Sequence, residues 1–475
     1  MIVANHADGD IRYRAAQPSE RRPEGIRAKA SRMWRDPLSR GGLALTVNTG
    51  LTGVLGFGYW LIAARLFSTY AVGIAGALVA GTTLFSGLGQ LNLSGMLMRF
   101  LPTAEGKSRR LVLLTYAYAA TVSAVLAAIS LVGIRFFASP TSPLRLSTVE
   151  STAFVMAVAA TAIFTIQDSV LVGVRRAVWV PAENGAFGLA KIGVLFVLAP
   201  ARNAFALFGA WMIPLTLTIP VISAVLFHKF LPEASRHRRA LQSRRWALLG
   251  REMRSGIIRF AIGDATGGLF TQAWMYLLPV IITASLGPSL NALYFTSFLF
   301  SGTVDQIAIN YASPLTVEGA RSPDQVTVLV RSTLRQTFFI VVPVVAMLVI
   351  VCPWLLRAFG DKYLSAIPLL RLLLIACLPR ALSAIYYAYC RIERTTYKSA
   401  IVQGYVCIAM LSTVSLMAHS IGLVGIGIVA VAVQASAGGI SLLGLRNELR
   451  SPRRYSGRGR HRRSTKEHAG PEMAI

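Results

Sequence analysis

The chain has 475 residues, 54% of them hydrophobic and only 14% charged, and its 48 Lys+Arg against 20 Asp+Glu give a formal net charge of +28. Its mean hydropathy is +0.56. Soluble domains carry roughly a quarter charged residues, so this composition excludes a soluble enzyme, a disordered protein and a secreted disulfide scaffold.

A bilayer core about 30 Å thick is crossed by about 20 mainly apolar helical residues. Twelve runs of this kind are predicted, over 43–64, 71–93, 111–134, 152–174, 184–200, 204–227, 256–282, 290–312, 336–356, 365–389, 399–418 and 421–444. Helices are expected because lipid offers no partner to open backbone groups. The runs are continuous, whereas a barrel would alternate.

In chain order, a polar, basic segment over 1–42 precedes span one, and no cleavable signal is expected. Span one carries Asn48 and a run of glycines (Gly50, Gly53, Gly56, Gly58), and Arg65 follows it. Span four contains Gln167 and Asp168, and span five contains Lys191. A long basic segment over 228–255 then divides the chain. Span seven carries Arg259, Asp264, Gly263, Gly267, Gly268 and Gln272; span eight carries Asp305, Gln306 and Asn310. Span ten contains Arg371 and the run Leu378-Pro379-Arg380. Spans eleven and twelve are separated by little more than His419 and Ser420, and a Gly/Ser/Arg-rich tail ends the chain.

The positive charges fall on one side of this pattern. With the N-terminus placed inside, the inner segments hold 38 Lys+Arg, the outer segments hold 6, and four more lie in or near spans. That bias is the positive-inside signature and puts both termini in the cytoplasm. The basic tails are expected to face an anionic inner leaflet and require no nucleic acid.

Six spans per half suggest two parallel repeats. Arg176 and Trp179, after span four, match Arg394 and Tyr397, after span ten, at an offset of 218. The glycines of spans one and seven correspond similarly, so both helices are expected to bend or to pack closely. The implied parts are an N-lobe over 43–227, a linker over 228–255, a C-lobe over 256–445 and tails over 1–42 and 446–475.

Charge inside a bilayer costs a few kcal/mol and usually faces a cavity or a partner. Arg380 is the deepest cation; it is expected to meet an anion in a cavity or to form a buried ion pair. Asp168, Asp264 and Asp305 are candidates for proton or cation coupling, or for pairing with Arg380, Lys191 or Arg259. Lys191 would bind an anion or neutralise Asp168. Asn48, Gln306 and Asn310 fit a wet cavity. Trp60, Trp211, Trp274 and Trp354 read as interfacial anchors or packing. The four cysteines have no zinc spacing, and no Walker loop, GxSxG or histidine cluster is present. No cofactor and no enzymatic chemistry are expected.

Several runs carry a family resemblance: Asn48-Thr49-Gly50, Tyr59-Trp60-Leu61-Ile62-Ala63-Ala64-Arg65-Leu66-Phe67, Arg99-Phe100-Leu101-Pro102, Asn291-Ala292-Leu293-Tyr294-Phe295, Val317-Glu318-Gly319-Ala320 and Phe359-Gly360-Asp361-Lys362-Tyr363. Over roughly 40–445 the chain resembles the polysaccharide-transporter branch of the multidrug/oligosaccharidyl-lipid/polysaccharide (MOP) exporter superfamily, including oligosaccharide flippases and O-antigen-type exporters. The resemblance implies an all-α polytopic membrane protein with about 12 transmembrane helices in two six-helix lobes around a central cavity. It implies alternating access and a lipid-linked oligosaccharide whose pyrophosphate meets cavity cations. Arg380, Lys191, Arg259 and Arg65 are the positions available, Arg65 first as a gate. Glycosyltransferases or a polymerase of a polysaccharide pathway are the implied partners. The alternatives are a cation-coupled multidrug antiporter and a non-transporting scaffold of a synthesis complex.

Overall fold

A computed structural model describes residues 37–90, 93–101, 108–174, 176–231 and 251–450. The N-terminal tail, most of the 228–255 linker and the C-terminal tail lie outside the described residues, as does the side chain of Arg259.

The described chain is helical: α1 (Pro37–Leu66), α2 (Thr69–Gln90), the short α3 (Leu93–Phe100), α4 (Ser108–Phe137), α5 (Thr148–Gly173), α6 (Trp179–Leu198), α7 (Ala204–Val225), α8 (Arg251–Ser285), α9 (Pro288–Arg321), α10 (Val326–Phe359), α11 (Ile367–Ile392) and α12 (Thr396–Arg450). Among the described residues ten helices are long and apolar enough to cross a membrane. Two differences separate ten from the expected twelve. Helix α9, with Asp305, Gln306 and Asn310 in its middle, is not among the ten. The last two spans are merged into α12, which is broken at Gly422 (φ 62, ψ −169).

The break is a reversal. Tyr405 and Ser436 share a hydrogen bond of 2.7 Å between their hydroxyls, and Lys398 Nζ lies 2.5 Å from Glu448 Oε1. Fifty residues of straight helix would separate that last pair by about 75 Å. Helix α12 is therefore an antiparallel hairpin whose turn uses a backbone conformation open essentially to glycine alone.

Local signals set the other boundaries. Ser147 and Glu150 form a capping box at the start of α5. Asn203 Oδ1 accepts from the amide of Ala206 at the start of α7. Gly287 (φ 94) turns the chain before Pro288 opens α9, and Gly360 (φ 132) ends α10.

The helix order repeats. Starts at Thr69, Ser108, Thr148 and Trp179 recur at Pro288, Val326, Ile367 and Thr396, each 217–219 residues on. The helices form two lobes, α1–α7 and α8–α12. Alternating helix directions define two ends of the bundle. The basic end carries the starts of α1, α4, α6 and α12 and the ends of α5 and α11; the opposite end carries Leu66, Thr69 and Gly287.

The lobes meet in an aromatic core near the opposite end. Trp60 packs edge-on to Phe295 (4.7 Å), and Phe57 packs against Phe300 (5.1 Å) and Phe359 (5.3 Å). Helix α2 touches the second lobe at two depths, through Gly73 against Pro288 and Gly87 against Gln272. Helices α1 and α9 meet at Phe57 and Phe300. Beyond that contact, toward the basic end, Gly50, Gly53 and Gly302 face open space, and Thr49, Gln306 and Asn310 are exposed.

The expected shared role of the glycines in spans one and seven divides. A Cβ on Gly50, Gly53, Gly56, Gly58 or Gly268 would meet nothing within 4 Å, whereas one on Gly263 or Gly267 would come within 2.5 Å of Thr396 Oγ1 or 2.4 Å of Gln403 Nε2. Gly263 and Gly267 let α8 pack closely on α12, while α1 is approached by the glycines of α6, Gly185 against Leu51 and Gly188 against Leu55.

Candidate functional site

A cavity of about 290 Å³ lies inside the second lobe, walled by α8, α9, α11 and α12. Its polar lining includes Arg380, Asp305, Arg391, Gln403 and Gln434, and Trp274 and Tyr387 supply aromatic faces. Trp274, read from sequence as an anchor or packing residue, is 7% exposed and lines this wall.

Arg380 Nη1 lies 2.8 Å from Asp305 Oδ2, with both side chains 13% exposed. The guanidinium also donates from Nη2 to the Leu373 carbonyl (3.1 Å) and from Nε to the Ala376 carbonyl (3.3 Å). Helical side chains lean toward the N-terminus, so Arg380 reaches back along α11 to these groups. Pro379 beside it removes one backbone donor from the helix. Asp305 Oδ1 is buried and accepts no hydrogen bond. The pair joins α9 to α11 and leaves one anionic oxygen unsatisfied.

The second cavity arginine, Arg391, meets Asp264 at 2.7 Å, both partly exposed. Asp264 therefore pairs across helices with a residue that the sequence reading placed in a loop. Its expected partners were Arg259, five positions away, Arg380 and Lys191.

Lys191 is not an ion-pair partner of Asp168. It is 4% exposed, and its Nζ sits 3.6 Å from the ring centre of Trp211, 5.1 Å from Phe187 and 5.3 Å from Tyr59. The negative faces of three rings hold this ammonium. Tyr59 is fixed in turn by its hydroxyl, which donates to the Leu207 carbonyl (2.6 Å). Trp211, expected as an anchor or packing residue, is one wall of this box. Trp60 packs into the same cluster, 5.8 Å from Trp211, and Trp354 is exposed.

Arg65 lies far from the cavity, at the opposite end. Its Nε donates to the Ala358 carbonyl (2.6 Å) and its Nη2 to the Arg357 carbonyl (2.8 Å). It caps the last turn of α10 from the other lobe, where a helix's free carbonyls favour a cation. Gln306 donates to Asn310 (3.1 Å) on the exposed side of α9, and Asn48 lies half-buried on α1. The structure thus unites Arg380 with Asp305 in this cavity, joins Asp264 to the cavity's Arg391, and leaves Lys191, Arg65 and Asn48 elsewhere.

Two residues escaped the sequence reading. Glu183 fell just before the predicted start of span five at 184, but α6 begins at Trp179 and buries it to 3% exposure. Pro181 was the available signal, since proline is tolerated in a helix's first turn. Arg391 was missed because α11 runs to Ile392, beyond the predicted end of span ten at 389. Among the described residues no three His, Cys, Asp or Glu side chains converge as a metal site.

No family model matches the sequence, and no curated protein matches it. Solved structures do match in fold. One is described as the inward-facing conformation of a multidrug resistance MATE family transporter of the MOP superfamily; it has a TM-score of 0.58 and 17% identity over 85% of this chain and 94% of that one. The outward-facing conformation of such a transporter matches with a TM-score of 0.57 and 17% identity, covering 88% and 97%. A MATE in complex with MaL6 matches equally, at 0.57 and 17%, covering 89% and 98%. At this identity the likeness concerns architecture: the chain has the all-helical fold of MATE transporters of the MOP superfamily.

Proposed function

We propose that this chain is a membrane exporter of the flippase type, moving a polyprenyl-pyrophosphate-linked oligosaccharide, or a related polysaccharide precursor, across the cytoplasmic membrane by alternating access. The observation that carries the reading is the composition of the second-lobe cavity. Arg380 and Arg391, each paired with an aspartate, line it together with Asp305, Trp274, Tyr387, Gln403 and Gln434. Guanidinium groups suit phosphate oxygens, aromatic faces suit the apolar faces of sugar rings, and amides suit hydroxyl groups. The exposed stretch of α1 and α9 beyond Phe57 and Phe300 gives a lipid tail a side on which to remain in the bilayer.

In this reading the basic end faces the cytoplasm, because Lys and Arg are retained on that side. The protein makes and breaks no covalent bond and needs no cofactor. Glycosyltransferases that build the cargo, and a polymerase that consumes it, are the partners the reading requires. The test is reconstitution in vesicles with a lipid-linked sugar, following leaflet transfer. Transfer above protein-free vesicles is expected, and its absence would sink the reading. Normal transfer by Arg380→Ala would remove Arg380 from the mechanism.

A cation-coupled multidrug antiporter is the second reading. It is favoured by the solved multidrug transporters that share the fold. Drug-induced proton flux in the same vesicles distinguishes it.

A further inference from the structure

The first lobe closes at the basic end in a widened turn. Helix α7 runs on past Val225 into one π turn, Leu226–Phe230, where the Leu231 amide donates to the Leu226 carbonyl five positions back. Such turns are uncommon and recur at functional sites. This one buries Leu226 and Phe230 and exposes His228 and Lys229. Two arginines from other segments lie on its rings. The Arg109 guanidinium, from the first turn of α4, stands over Phe227 at 5.7 Å, and that of Arg176, from the connection between α5 and α6, stands over Phe230 at 5.2 Å. Trp179, the first residue of α6, packs edge-on to Phe230 at 5.4 Å and is itself 42% exposed. Because the two phenylalanines share one turn, Arg109, Arg176, His228 and Lys229 gather into one basic cluster from three segments. A ring face fixes the Arg109 guanidinium without consuming its in-plane N–H donors.

The internal repeat shows what this corner lacks. The offset of 218 sets Arg176 on Arg394, Trp179 on Tyr397, Val180 on Lys398 and Phe230 on Glu448. The second lobe therefore closes the corner with its own anion, Glu448, which meets Lys398 at 2.5 Å. The first lobe has a phenylalanine in place of that carboxylate. Its carboxylates near this end are turned inward: Glu183 is 3% exposed, and both oxygens of Asp168 lie 3.2 Å from Asn184 Nδ2. Among the described residues, none of Arg109, Arg110, His228 and Lys229 pairs with a carboxylate. The bilayer side of the cluster is apolar. Leu113, one turn after Arg109 on the same face of α4, is 49% exposed, and Val221, two turns before His228 on α7, is 62% exposed.

We propose that Arg109, Arg176, His228 and Lys229, framed by Trp179 and Phe227, hold the headgroup of one anionic phospholipid. The missing carboxylate of the first lobe is thus supplied from the bilayer. Guanidinium groups suit the phosphodiester oxygens, Lys229 adds a point charge, and Trp179 sits at headgroup level as interfacial tryptophans do. Basic pockets between helix ends are a recurrent setting for anionic headgroups. The acyl chains lie against Leu113 and Val221. The bound lipid ties α4, the connection between α5 and α6, and the end of α7 to the membrane surface. That this surface is the inner leaflet rests on the orientation of the basic end; the binding does not.

The experiment is native mass spectrometry of the full chain, released from detergent containing equal amounts of phosphatidylglycerol and phosphatidylcholine. The wild type is expected to retain one phosphatidylglycerol at several-fold higher occupancy than phosphatidylcholine. The preference should fall to near parity when Arg109→Gln and Lys229→Gln are combined. It should survive Arg331→Gln combined with Arg446→Gln, which removes two exposed cations from the second lobe. Equal loss in both pairs would reduce the effect to general surface charge and overturn the site. Loss in Arg391→Gln, with the first-lobe pair unaffected, would place the lipid in the second-lobe cavity and overturn it too. Displacement of the lipid by inorganic phosphate at equal concentration would mark a site for free phosphate and overturn the lipid assignment. Should the double variant fail to fold, Lys229→Gln alone decides, together with the wild-type unfolding midpoint. A ligand of the native state raises that midpoint saturably, so phosphatidylglycerol should raise it and phosphatidylcholine should not; no difference between the two would overturn the site. None of these measurements needs transport, so they stand whether or not the chain moves a lipid-linked sugar.

Discussion

Asn291 donates its side-chain amide to the backbone carbonyl of Gly73, 2.7 Å away, and the two residues stand 218 positions apart in the chain. That separation is the length of the internal repeat. Equivalent positions of the two halves therefore touch each other, as they do where a two-fold axis passes between related lobes. The contact is tight: a Cβ on Gly73 would fall 1.7 Å from the Pro288 carbonyl oxygen.

Gly73→Ala is therefore expected to force the lobes apart at the opposite end, since backbone at 1.7 Å cannot yield as a flexible side chain does. Arg65→Ala, which frees the last carbonyls of α10, is expected to loosen the same end more gently. Both should raise the rate at which a membrane-impermeant thiol reagent labels a cysteine placed at Phe295, in a background without native cysteines. Labelling no faster than in the parent would show that these contacts do not hold the end closed.

Arg380 and Asp305 should behave as a buried pair. Removing one partner strands the other charge, a loss of about 3–5 kcal/mol in buried pairs. Arg380→Ala and Asp305→Ala should each lower the unfolding midpoint in detergent, and the double variant should recover part of that loss. Additive losses in the double variant would argue against the pairing.

The reversal at Gly422 can be read by cross-linking. With the native cysteines replaced, cysteines at Tyr405 and Ser436 should be joined within one chain by a bifunctional maleimide whose spacer matches a tyrosine side chain, because the Tyr405 hydroxyl reaches to 2.7 Å from that of Ser436. Gly422→Ala should destabilise the protein by about 1–3 kcal/mol, the usual cost of such a backbone position for a residue with a side chain. Failure to cross-link would mean that the two arms do not lie side by side.

Lys191→Met tests the aromatic box. Methionine keeps most of the volume and makes favourable sulfur–aromatic contacts, so the unfolding midpoint is expected to stay near that of the wild type. If the buried ammonium serves only packing, transfer of a lipid-linked sugar also stays unchanged; if it meets an anionic cargo, transfer falls while the midpoint holds.

The sequence made the helices legible because each span is a long apolar run, and lipid leaves the backbone no other choice. The repeat was legible at Arg176 and Arg394 because a basic residue followed three positions later by an aromatic one recurs there between corresponding helices. Helix ends were harder. Pro181 marks the start of α6 only when read as a first-turn residue, and missing it left Glu183 outside the membrane segment. Partners were harder still. The meeting of Arg391 with Asp264 joins residues 127 positions apart, and spacing along one helix cannot reveal a contact between two. The Lys191 box has the same origin, since Tyr59, Phe187 and Trp211 come from three helices.

The residues lining the cavity run from Gly268 to Gln434, all within the second lobe. Rocking one lobe against the other moves such a cavity as a unit and leaves its inner distances alone. A ligand that binds two conformations equally shifts neither. A molecule confined to these walls would therefore ride through the transition as a passenger. To drive the change it must also grip something on the first lobe.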